Sequence, residues 1–331
     1  MSKKHSNISI FVPHIGCTNK CSFCNQRHIT GVCKAPRATD VKKAVAAAKT
    51  SPNYDPKTTQ IAFFGGSFTA INRNYMLTLL EAAAEFVENG DVCGIRISTR
   101  PDAIDDEILT LLKEKHVTSI ELGAQTLNDR VLKMNRRGHT ANDVVKASAL
   151  IKSYGFELGL QIMTGLYKDT AASLTKTAEK VIEIKPDTIR IYPTIVLKDT
   201  DLEALYLEKI YKPQTLSEAV EQASKLYTMF TDNGIKVIRL GLHSIEEKAY
   251  IAGPCHPAFS ELCLSSIMLS KLLANLREAG KYTIFVSNSC LSKTIGQKRS
   301  NIIHLQSKGY DCTVKCDDSL KDMEFRIERE V

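Results

Sequence analysis

A regular alternation of short β-rich runs with helical segments is the feature that most limits the fold of this chain. Helical segments such as Arg73–Val87 and Thr140–Tyr154 separate the runs, and the second opens on a capping box formed by Thr140 and Asp143. Six or more consecutive βα units predict a parallel sheet, which right-handed crossovers would curl into a full or partial TIM-like barrel. The predicted strands are Ile8–Pro13, Gln60–Phe64, Gly94–Thr99, Ser119–Leu122, Glu157–Met163, Thr188–Tyr192 and Ile235–Leu240. We therefore expect an α/β fold whose functional residues lie in the loops after the strands.

The composition is that of a globular protein, and the sequence also indicates in which cellular compartment the protein is expected. It has 331 residues, of which 43% are hydrophobic, and a formal net charge of +7, which permits a nucleic-acid partner without requiring one. The first residues, Met1 to Ile8, lack the apolar core of a signal peptide, and no apolar run approaches the ~20 residues of a membrane span. We expect a cytoplasmic protein without a membrane partner, whose ten cysteines are ligands or buried thiols rather than disulfides.

Cysteines are concentrated in one loop directly after the first predicted strand. Cys17, Cys21 and Cys24 fall within eight residues, close enough for three thiolates to wrap one inorganic core. Iron–sulfur clusters are usually held by four cysteine thiolates, so three would leave one iron open. A zinc site with His14 or His28 as the fourth ligand is the main alternative, and buried thiols are another. The position of the loop in a βα series favours the cluster.

The same loop, with the aromatic Phe23 before its last cysteine, resembles the signature of the radical SAM superfamily. The resemblance implies a 4Fe–4S cluster on Cys17, Cys21 and Cys24, whose open iron chelates the amino and carboxylate groups of S-adenosylmethionine. It also implies the reaction, in which one electron from the cluster cleaves S-adenosylmethionine to methionine and a 5′-deoxyadenosyl radical that removes a hydrogen atom from the substrate. An electron donor such as a flavodoxin or a ferredoxin is then a required partner.

A second segment, Phe64–Phe68, follows the second predicted strand and resembles the glycine motif of that superfamily. Gly65 and Gly66 have no side chains, so a ligand can approach their backbone closely. The resemblance implies that the backbone of Gly65, Gly66 and Ser67 binds the methionine amino group of S-adenosylmethionine. A plain turn at the end of the strand is the alternative.

Five further segments resemble, in the same order, parts of the radical SAM half of the Elongator catalytic subunit, which modifies wobble uridines in tRNA. They are Thr99–Asp102, Glu121–Gln125, Asn135–His139, Met163–Leu166 and Ile191–Thr194. The resemblance runs from about Ile8 to Leu240 and implies an RNA substrate, with tRNA as one candidate. It also implies that Gln125 faces the ribose of S-adenosylmethionine and that Arg137, rather than Arg136, pairs with its carboxylate. The alternative for Gln125 is a hydrogen-bonded amide at the end of a strand, and the alternative for Arg137 is a solvated helix residue.

Three departures limit this comparison. Ser98 stands where the Elongator subunit tends to carry Glu, and the cysteine loop has the short superfamily spacing rather than the longer Elongator form. Only about ninety residues follow Leu240, which is too few for the acetyltransferase domain in which that subunit ends. We therefore expect no acetyltransferase domain and do not transfer the carboxymethyl chemistry of that family.

The last part of the chain is predicted to be a separate unit, which divides the chain into a radical SAM core domain, 1–245, and a C-terminal part, 246–331. A long helix, Ala258–Ala279, precedes a strand–helix–loop–helix–strand pattern that resembles a KH RNA-binding core. The fold class expected for the whole chain is thus a partial TIM-like barrel with a small KH-like α/β subdomain.

The loop of this KH-like segment contains Gly296, Lys298 and Arg299, with Arg299 in place of the second glycine of the KH motif. From Lys281 to Tyr310 the chain has five Lys or Arg and no Asp or Glu, a pattern that can attract a polyanion. We expect these three loop residues to contact RNA, and the alternative is a packing subdomain with a solvated basic loop.

The other cysteines follow no spacing that defines a metal site. Among them are Cys33, which lies outside the cysteine-loop spacing, and Cys255, Cys263, Cys290, Cys312 and Cys316 in the C-terminal part. Buried or free thiols are the favoured interpretation, and an auxiliary cluster is left open.

Three functions fit the sequence. The first is a radical SAM enzyme that modifies RNA, and the second is a radical SAM enzyme for a small molecule, with the tail as a structural cap. The third is a non-catalytic RNA-binding iron–sulfur protein, which would form no 5′-deoxyadenosine from S-adenosylmethionine. The sequence assigns no catalytic side chain and no oligomeric state.

Overall fold

The computed structural model describes residues 5–12, 16–17, 21–25, 34–243 and 245–330. His14 and His28, considered above as zinc ligands, and Cys33 lie outside the described residues.

Seven parallel strands form one sheet in the order β1-β2-β3-β4-β5-β6-β8, so that each strand lies beside the next one along the chain. This is the half-barrel predicted from the βα alternation, and each predicted strand is present. A short strand, β7, leaves β6 and pairs antiparallel with β9. The bounds are Ser6–Val12 (β1), Thr59–Gly65 (β2), Ile95–Thr99 (β3), Val117–Gln125 (β4), Glu157–Thr164 (β5), Thr188–Pro193 (β6), Val196–Leu197 (β7), Lys236–Leu240 (β8) and Tyr250–Ala252 (β9).

Helices pack on the outer face of this sheet and bury one apolar core with it. Their starts are fixed by side-chain caps: Asp143 accepts a hydrogen bond from the Thr140 backbone in the predicted capping box, and Glu218 does the same for Thr215. The bounds are Ala38–Lys49 (α1), Arg73–Glu88 (α2), Asp106–Glu114 (α3), Asp129–Met134 (α4), Ala141–Ser153 (α5), Ala171–Ile184 (α6), Asp201–Leu207 (α7), Leu216–Asp232 (α8), Phe259–Asn275 (α9), Leu291–Ile295 (α10) and Ser300–Ser307 (α11). None of the helices that the structure describes is long and apolar enough to cross a membrane.

The C-terminal part has its own mixed sheet and its own apolar core. Strand β10 (Gly280–Val286) pairs in parallel with β11 (Tyr310–Cys316) and antiparallel with β12 (Phe325–Arg329), a strand that the sequence did not predict. Helix α9 joins the two parts, because Phe259 packs in the barrel core and Met268 in the second core. The prediction that this helix runs to Ala279 is wrong: it ends at Asn275, where the chain turns extended to bury Leu276.

Charged side chains are buried inside the half-barrel, in a network centred on Glu121. Arg190 donates from Nε and Nη2 to the two carboxylate oxygens of Glu121 at 2.7 and 2.8 Å, and Arg96 donates from Nη1 at 3.1 Å. Arg96 is only 2% exposed and also reaches Glu157 and Gln60 at 2.9 and 3.0 Å. One carboxylate therefore compensates two buried guanidinium groups at once.

Replacing Glu121 with alanine is expected to lower the free energy of unfolding by about 3–5 kcal/mol, because Arg190 would lose the carboxylate that compensates its buried charge and Arg96 would keep only Glu157. Urea unfolding of the metal-free protein, followed by far-UV circular dichroism, measures this. Glu114→Ala, on the exposed end of α3, is the matched control and is expected to change stability by less than about 0.5 kcal/mol. Equal stability of the two variants would contradict the role given to the network.

Candidate active site

A cavity of about 260 Å³ opens at the carboxyl ends of the barrel strands. Its lining combines the cysteine loop, the ends of β2 to β6 and the segment after β8. Every barrel residue that the sequence singled out as a cluster or cofactor ligand lines it: Cys17, Cys21, Cys24, Gly65, Gly66, Ser67, Gln125 and Arg137. Gly296, Lys298 and Arg299 do not; they line a different groove in the C-terminal part.

One side of the cysteine loop is fixed by Asn135, which is fully buried. The Ser22 backbone N–H and hydroxyl both donate to Asn135, at 3.1 Å to its carbonyl and 2.9 Å to its side-chain oxygen. The Asn135 amide in turn donates to the carbonyl of Tyr167 at 2.9 Å, and the Leu202 N–H donates to the carbonyl of Ser22 at 2.8 Å. The segment between Cys21 and Cys24 is thus tied to the ends of α4 and β5 and to the start of α7.

The other side of the loop is fixed at Gly16, directly before the first cysteine. Arg100 donates to the Gly16 carbonyl at 2.9 Å, and the Arg100 backbone N–H donates to the Ser67 hydroxyl at 3.1 Å. Gly16 has φ +79°, and a Cβ there would lie 2.4 Å from the carbonyl oxygen of Ser67. Only glycine fits, because any side chain meets both the left-handed backbone and a fixed carbonyl.

The three thiols lie near enough to affect one another's ionisation. Burial, with the neighbouring Cys21 and Cys17 adding to its effect and Arg137 opposing it, raises the pKa of Cys24 to about 12. Burial also raises the pKa of Cys17, with Cys21 adding to it and Arg100 opposing. Thiolates crowded in this way are stabilised by bound cationic metal, which suits a cluster site.

The donor set, three thiolates of one loop, fits an iron–sulfur cluster. Among the described residues, no three His, Cys, Asp or Glu side chains are grouped around a point where one metal ion could sit. In an iron–sulfur cluster each thiolate binds a different iron, so the three sulfur atoms need not converge on one point. The described cysteines of the C-terminal part form no such group either. Of these, Cys263, Cys290 and Cys312 are buried thiols, and Cys255 and Cys316 are exposed.

Glycines let the backbone form the wall beside the cysteine loop. Gly65 has φ +110°, and a Cβ there would lie 2.9 Å from the Val12 carbonyl oxygen, to which the Gly66 N–H donates at 2.7 Å. Two strands away, at the end of β4, Gln125 has φ +65°, an uncommon backbone for a residue with a side chain, at a register shift of that strand. Non-glycine strain of this kind concentrates at binding sites.

Arg137 and Arg136 point to different places. Arg137 is nearly buried and donates to Cys21 Sγ at 3.1 Å and to the Gly123 carbonyl at 2.5 Å. Its Nε is buried and has no hydrogen-bond partner among the described residues, which leaves one charged donor for a ligand. Arg136 is exposed and pairs with Asp201 at 2.6 Å, away from the cavity.

The sequence reasoning missed the residues that hold the loop, namely Gly16, Ser22, Arg100 and Asn135. Arg100 and Asn135 stand in two of the motifs that were recognised, so their presence there was the available signal. The sequence suggested only a structural role for His243, whereas the structure places this residue in the lining of the cavity near Tyr192. Burial, together with Arg239 and Arg190, lowers the pKa of His243 to about 4, so it is neutral at pH 7.

Fold and cavity together define an α/β half-barrel with a three-cysteine centre at its mouth. The model of the radical SAM superfamily matches residues 11–181, and the model of the Radical_SAM C-terminal domain matches residues 186–268. The chain belongs to the radical SAM superfamily. It is accordingly a radical SAM enzyme, and the family implies a 4Fe–4S cluster, S-adenosylmethionine and a reductant.

Relatives confirm the distant, partial likeness to the Elongator catalytic subunit. The chain is 32% identical over 128 residues to a tRNA uridine(34) acetyltransferase of Methanocaldococcus jannaschii, covering 38% of this chain and 24% of that protein. It is 26% identical over 213 residues to an uncharacterised protein of the same organism, covering 63% of this chain and 62% of that protein. The structure of archaeal Elp3 from Methanocaldococcus infernus shares the fold, with a TM-score of 0.68 at 18% identity over 82% of this chain and 64% of that one. Each match covers less than two thirds of the relative.

Replacing Gly16 with alanine is expected to reduce the iron and sulfide taken up on anaerobic reconstitution, although no thiol is changed. The reason is the collision with the Ser67 carbonyl, which would displace the loop that carries Cys17. Gly90→Ala is the matched control, because Gly90 has φ +73° but no heavy atom within 4 Å of an added Cβ. Both variants bear the left-handed backbone cost of about 1–2 kcal/mol, so a difference in iron content isolates the collision. Equal iron content would show that Gly16 does not position the loop.

Proposed function

We propose that the protein is a radical SAM enzyme that modifies RNA. The observation that carries the enzymatic part is the meeting of three cysteines, a glycine-built wall and an arginine with a free buried donor in one cavity at the barrel mouth. The RNA part is supported by a groove in the C-terminal part, described below, and by relatives named for tRNA uridine(34).

In this proposal Cys17, Cys21 and Cys24 hold the cluster, and Gly65, Gly66, Ser67, Gln125 and Arg137 bind S-adenosylmethionine. When bound, the pair supplies a radical that abstracts a hydrogen atom from the substrate. The protein orients the reactants: Arg137 places a guanidinium beside both Cys21 and the cofactor site, which suits a carboxylate. Ser67 is buried and bonds to Thr99 at 2.8 Å, which keeps the backbone wall rigid.

The loop of the C-terminal part is held in a conformation that presents two cations. Gly296, Lys298 and Arg299 have φ of +78°, +53° and +62°, so consecutive side chains are carried on left-handed backbone. The buried Asn301 fixes this turn, because its amide donates to Ser265 and to the Lys293 carbonyl at 3.0 to 3.1 Å. Strain retained by such a fixed turn is typical of a ligand-contacting loop.

Lys298 and Arg299 line a groove between α9 and this loop, and neither pairs with an acid among the residues that the structure describes. Lys293 is not part of the free charge, because Asp322 pairs with it at 2.9 Å. Phosphate contacts from Lys and Arg position an RNA without reading its sequence, which would place the reacting nucleotide at the barrel mouth. We propose that residues 1–245 form the catalytic core domain and that 246–331 hold the RNA.

The first test of this function compares the nucleosides of total RNA, by mass spectrometry, from cells with and without the gene. One modified nucleoside is expected to disappear and to return with the wild-type gene. It is not expected to return with a Cys17→Ala, Cys21→Ala, Cys24→Ala variant, since that variant has no site for the cluster. An unchanged nucleoside profile would argue for a small-molecule substrate.

A second test separates RNA binding from radical chemistry. Lys298→Glu with Arg299→Glu is expected to weaken RNA binding at least about tenfold, because two phosphate contacts are lost and two repulsions are added. The rate of 5′-deoxyadenosine formation with dithionite is expected to stay unchanged. Lys271→Glu with Lys308→Glu makes the same change of charge at exposed residues outside the groove and serves as the control. Equal loss of RNA binding in both variants would contradict the groove assignment.

A further inference from the structure

The turn at the end of β4, residues Gly123 to Leu127, brings together two side chains that the proposed function assigns to S-adenosylmethionine. It carries Gln125 on left-handed backbone, at φ +65°. Gly123 leaves room for both side chains, because a Cβ there would lie 3.1 Å from Gln125 Nε2 and 3.3 Å from Arg137 Nη2. The Gly123 carbonyl also accepts a hydrogen bond from Arg137 at 2.5 Å. The conformation of this turn therefore sets the position of Gln125 and helps to set that of Arg137.

Contacts on both sides of Gln125 retain its left-handed backbone, which is unfavourable for a residue with a side chain. On the far side, the buried Thr177 of α6 accepts the Leu127 N–H at 3.2 Å and bonds to the Thr126 hydroxyl at 3.1 Å. On the near side, the Ala124 carbonyl accepts the Thr126 N–H at 2.8 Å. A carbonyl oxygen has two lone pairs, so this one can accept a second donor.

His139 supplies the second donor to the Ala124 carbonyl, at 3.3 Å from its Nε2. The side chain is only 6% exposed and does not belong to the lining of the active-site cavity. Burial, with Arg137 adding to its effect, lowers the pKa of His139 to about 4, so the ring is neutral at pH 7. A neutral imidazole has one N–H, and only the tautomer with its proton on Nε2 can donate to this carbonyl.

The other ring nitrogen of His139 indicates that packing alone does not explain an imidazole at this position. Nδ1 is buried and has no hydrogen-bond partner among the residues that the structure describes. With the proton on Nε2, Nδ1 is a buried acceptor without a donor, which is costly. An apolar side chain of similar size would avoid this cost, and the Ala124 carbonyl would still accept the Thr126 N–H. What the imidazole adds is the donor at Nε2.

We propose that His139 is a positioning residue for S-adenosylmethionine, which acts through the Ala124 carbonyl on the backbone of Gln125. The proposal rests on the cofactor role given to Gln125 in the proposed function. Because His139 lies outside the cavity lining, it orders the site without contacting the ligand. A turn that is already ordered loses less conformational entropy when the cofactor binds, and the affinity is higher for that reason.

The test compares two substitutions of His139 in the reconstituted full chain. His139→Gln keeps an N–H donor near the position of Nε2, whereas His139→Leu removes the donor and keeps an apolar side chain of similar size. His5→Leu is the matched control, since His5 is exposed ahead of β1, at the opposite end of the sheet from the cavity. Equilibrium dialysis with radiolabelled S-adenosylmethionine gives the Kd, and 5′-deoxyadenosine formation with dithionite gives KM and kcat. Urea unfolding gives the midpoint concentration of each variant.

His139→Leu is expected to bind S-adenosylmethionine about tenfold more weakly and to raise KM by a similar factor, with a smaller change in kcat. His139→Gln is expected to recover most of the affinity, and His5→Leu to match the wild type. The urea midpoint of His139→Leu is expected to be no lower than that of the wild type, because the unpaired Nδ1 is removed. A lower midpoint with an unchanged Kd would show a purely structural role and overturn the proposal. Equal losses of affinity in His139→Leu and His139→Gln, or in His139→Leu and His5→Leu, would overturn it as well.

Two further variants keep the proposal testable on its own. If His139→Leu does not fold, Thr177→Val removes the hydroxyl on the other side of the turn and is expected to weaken binding in the same direction; an unchanged Kd would then contradict the proposal. Gln125→Ala tests the cofactor assignment, which fails if that variant binds S-adenosylmethionine as the wild type does. Hydrogen exchange of the Gly123–Leu127 backbone without the cofactor still tests the restraint, and is expected to be faster in His139→Leu than in His139→Gln. Equal exchange in the two variants would overturn the role of the donor.

Discussion

The hydrogen bonds between Asn135 and Ser22 are the constraint on which the site depends most. They join a loop near the start of the chain to the end of α4, 113 residues later, and Asn135 passes the restraint on to Tyr167. Because Arg137 follows Asn135 by two residues and contacts Cys21, the same short turn places both the thiols and a cation beside them. A buried side-chain amide can hold its neighbours in place in this way, because breaking its hydrogen bonds would leave unpaired polar groups inside the protein, which is costly.

The fold was predictable because its signal is local. Each strand of the half-barrel shows a β-rich run and each connection a helical one, so the βα alternation predicts a parallel sheet and the crossover rule its handedness. The cysteine triad is equally local, within one loop. Strand β12 was missed because its residues, Phe325–Arg329, alternate apolar and charged residues only over a short length, and the early end of α9 depends on tertiary burial of Leu276.

The site was only partly predictable, because its restraints join residues distant in sequence. Arg100 holds Gly16 across 84 residues, and no spacing rule relates the two positions. Gln125 and Arg137 were predicted as cofactor ligands only from the resemblance to a known family. In the structure both line the cavity with the cysteines, whereas Arg136 pairs with Asp201 outside it. Ion pairs inside the barrel have the same long-range character: Glu121 meets Arg190 only because β4 and β6 flank β5.

Helix α9 determines whether RNA held on the C-terminal loop would reach the barrel in a fixed position. Near its start, the Cys263 carbonyl accepts the Ser224 hydroxyl of the barrel helix α8 at 3.1 Å, and Phe259 fills the space above Gly241, where a Cβ would meet its ring at 2.9 Å. Two residues further along, Ser265 accepts the Asn301 amide that shapes the loop. The contacts to the barrel and to the loop therefore lie within about two turns of one helix. The barrel and the loop that shapes the groove are therefore both anchored on the same stretch of α9.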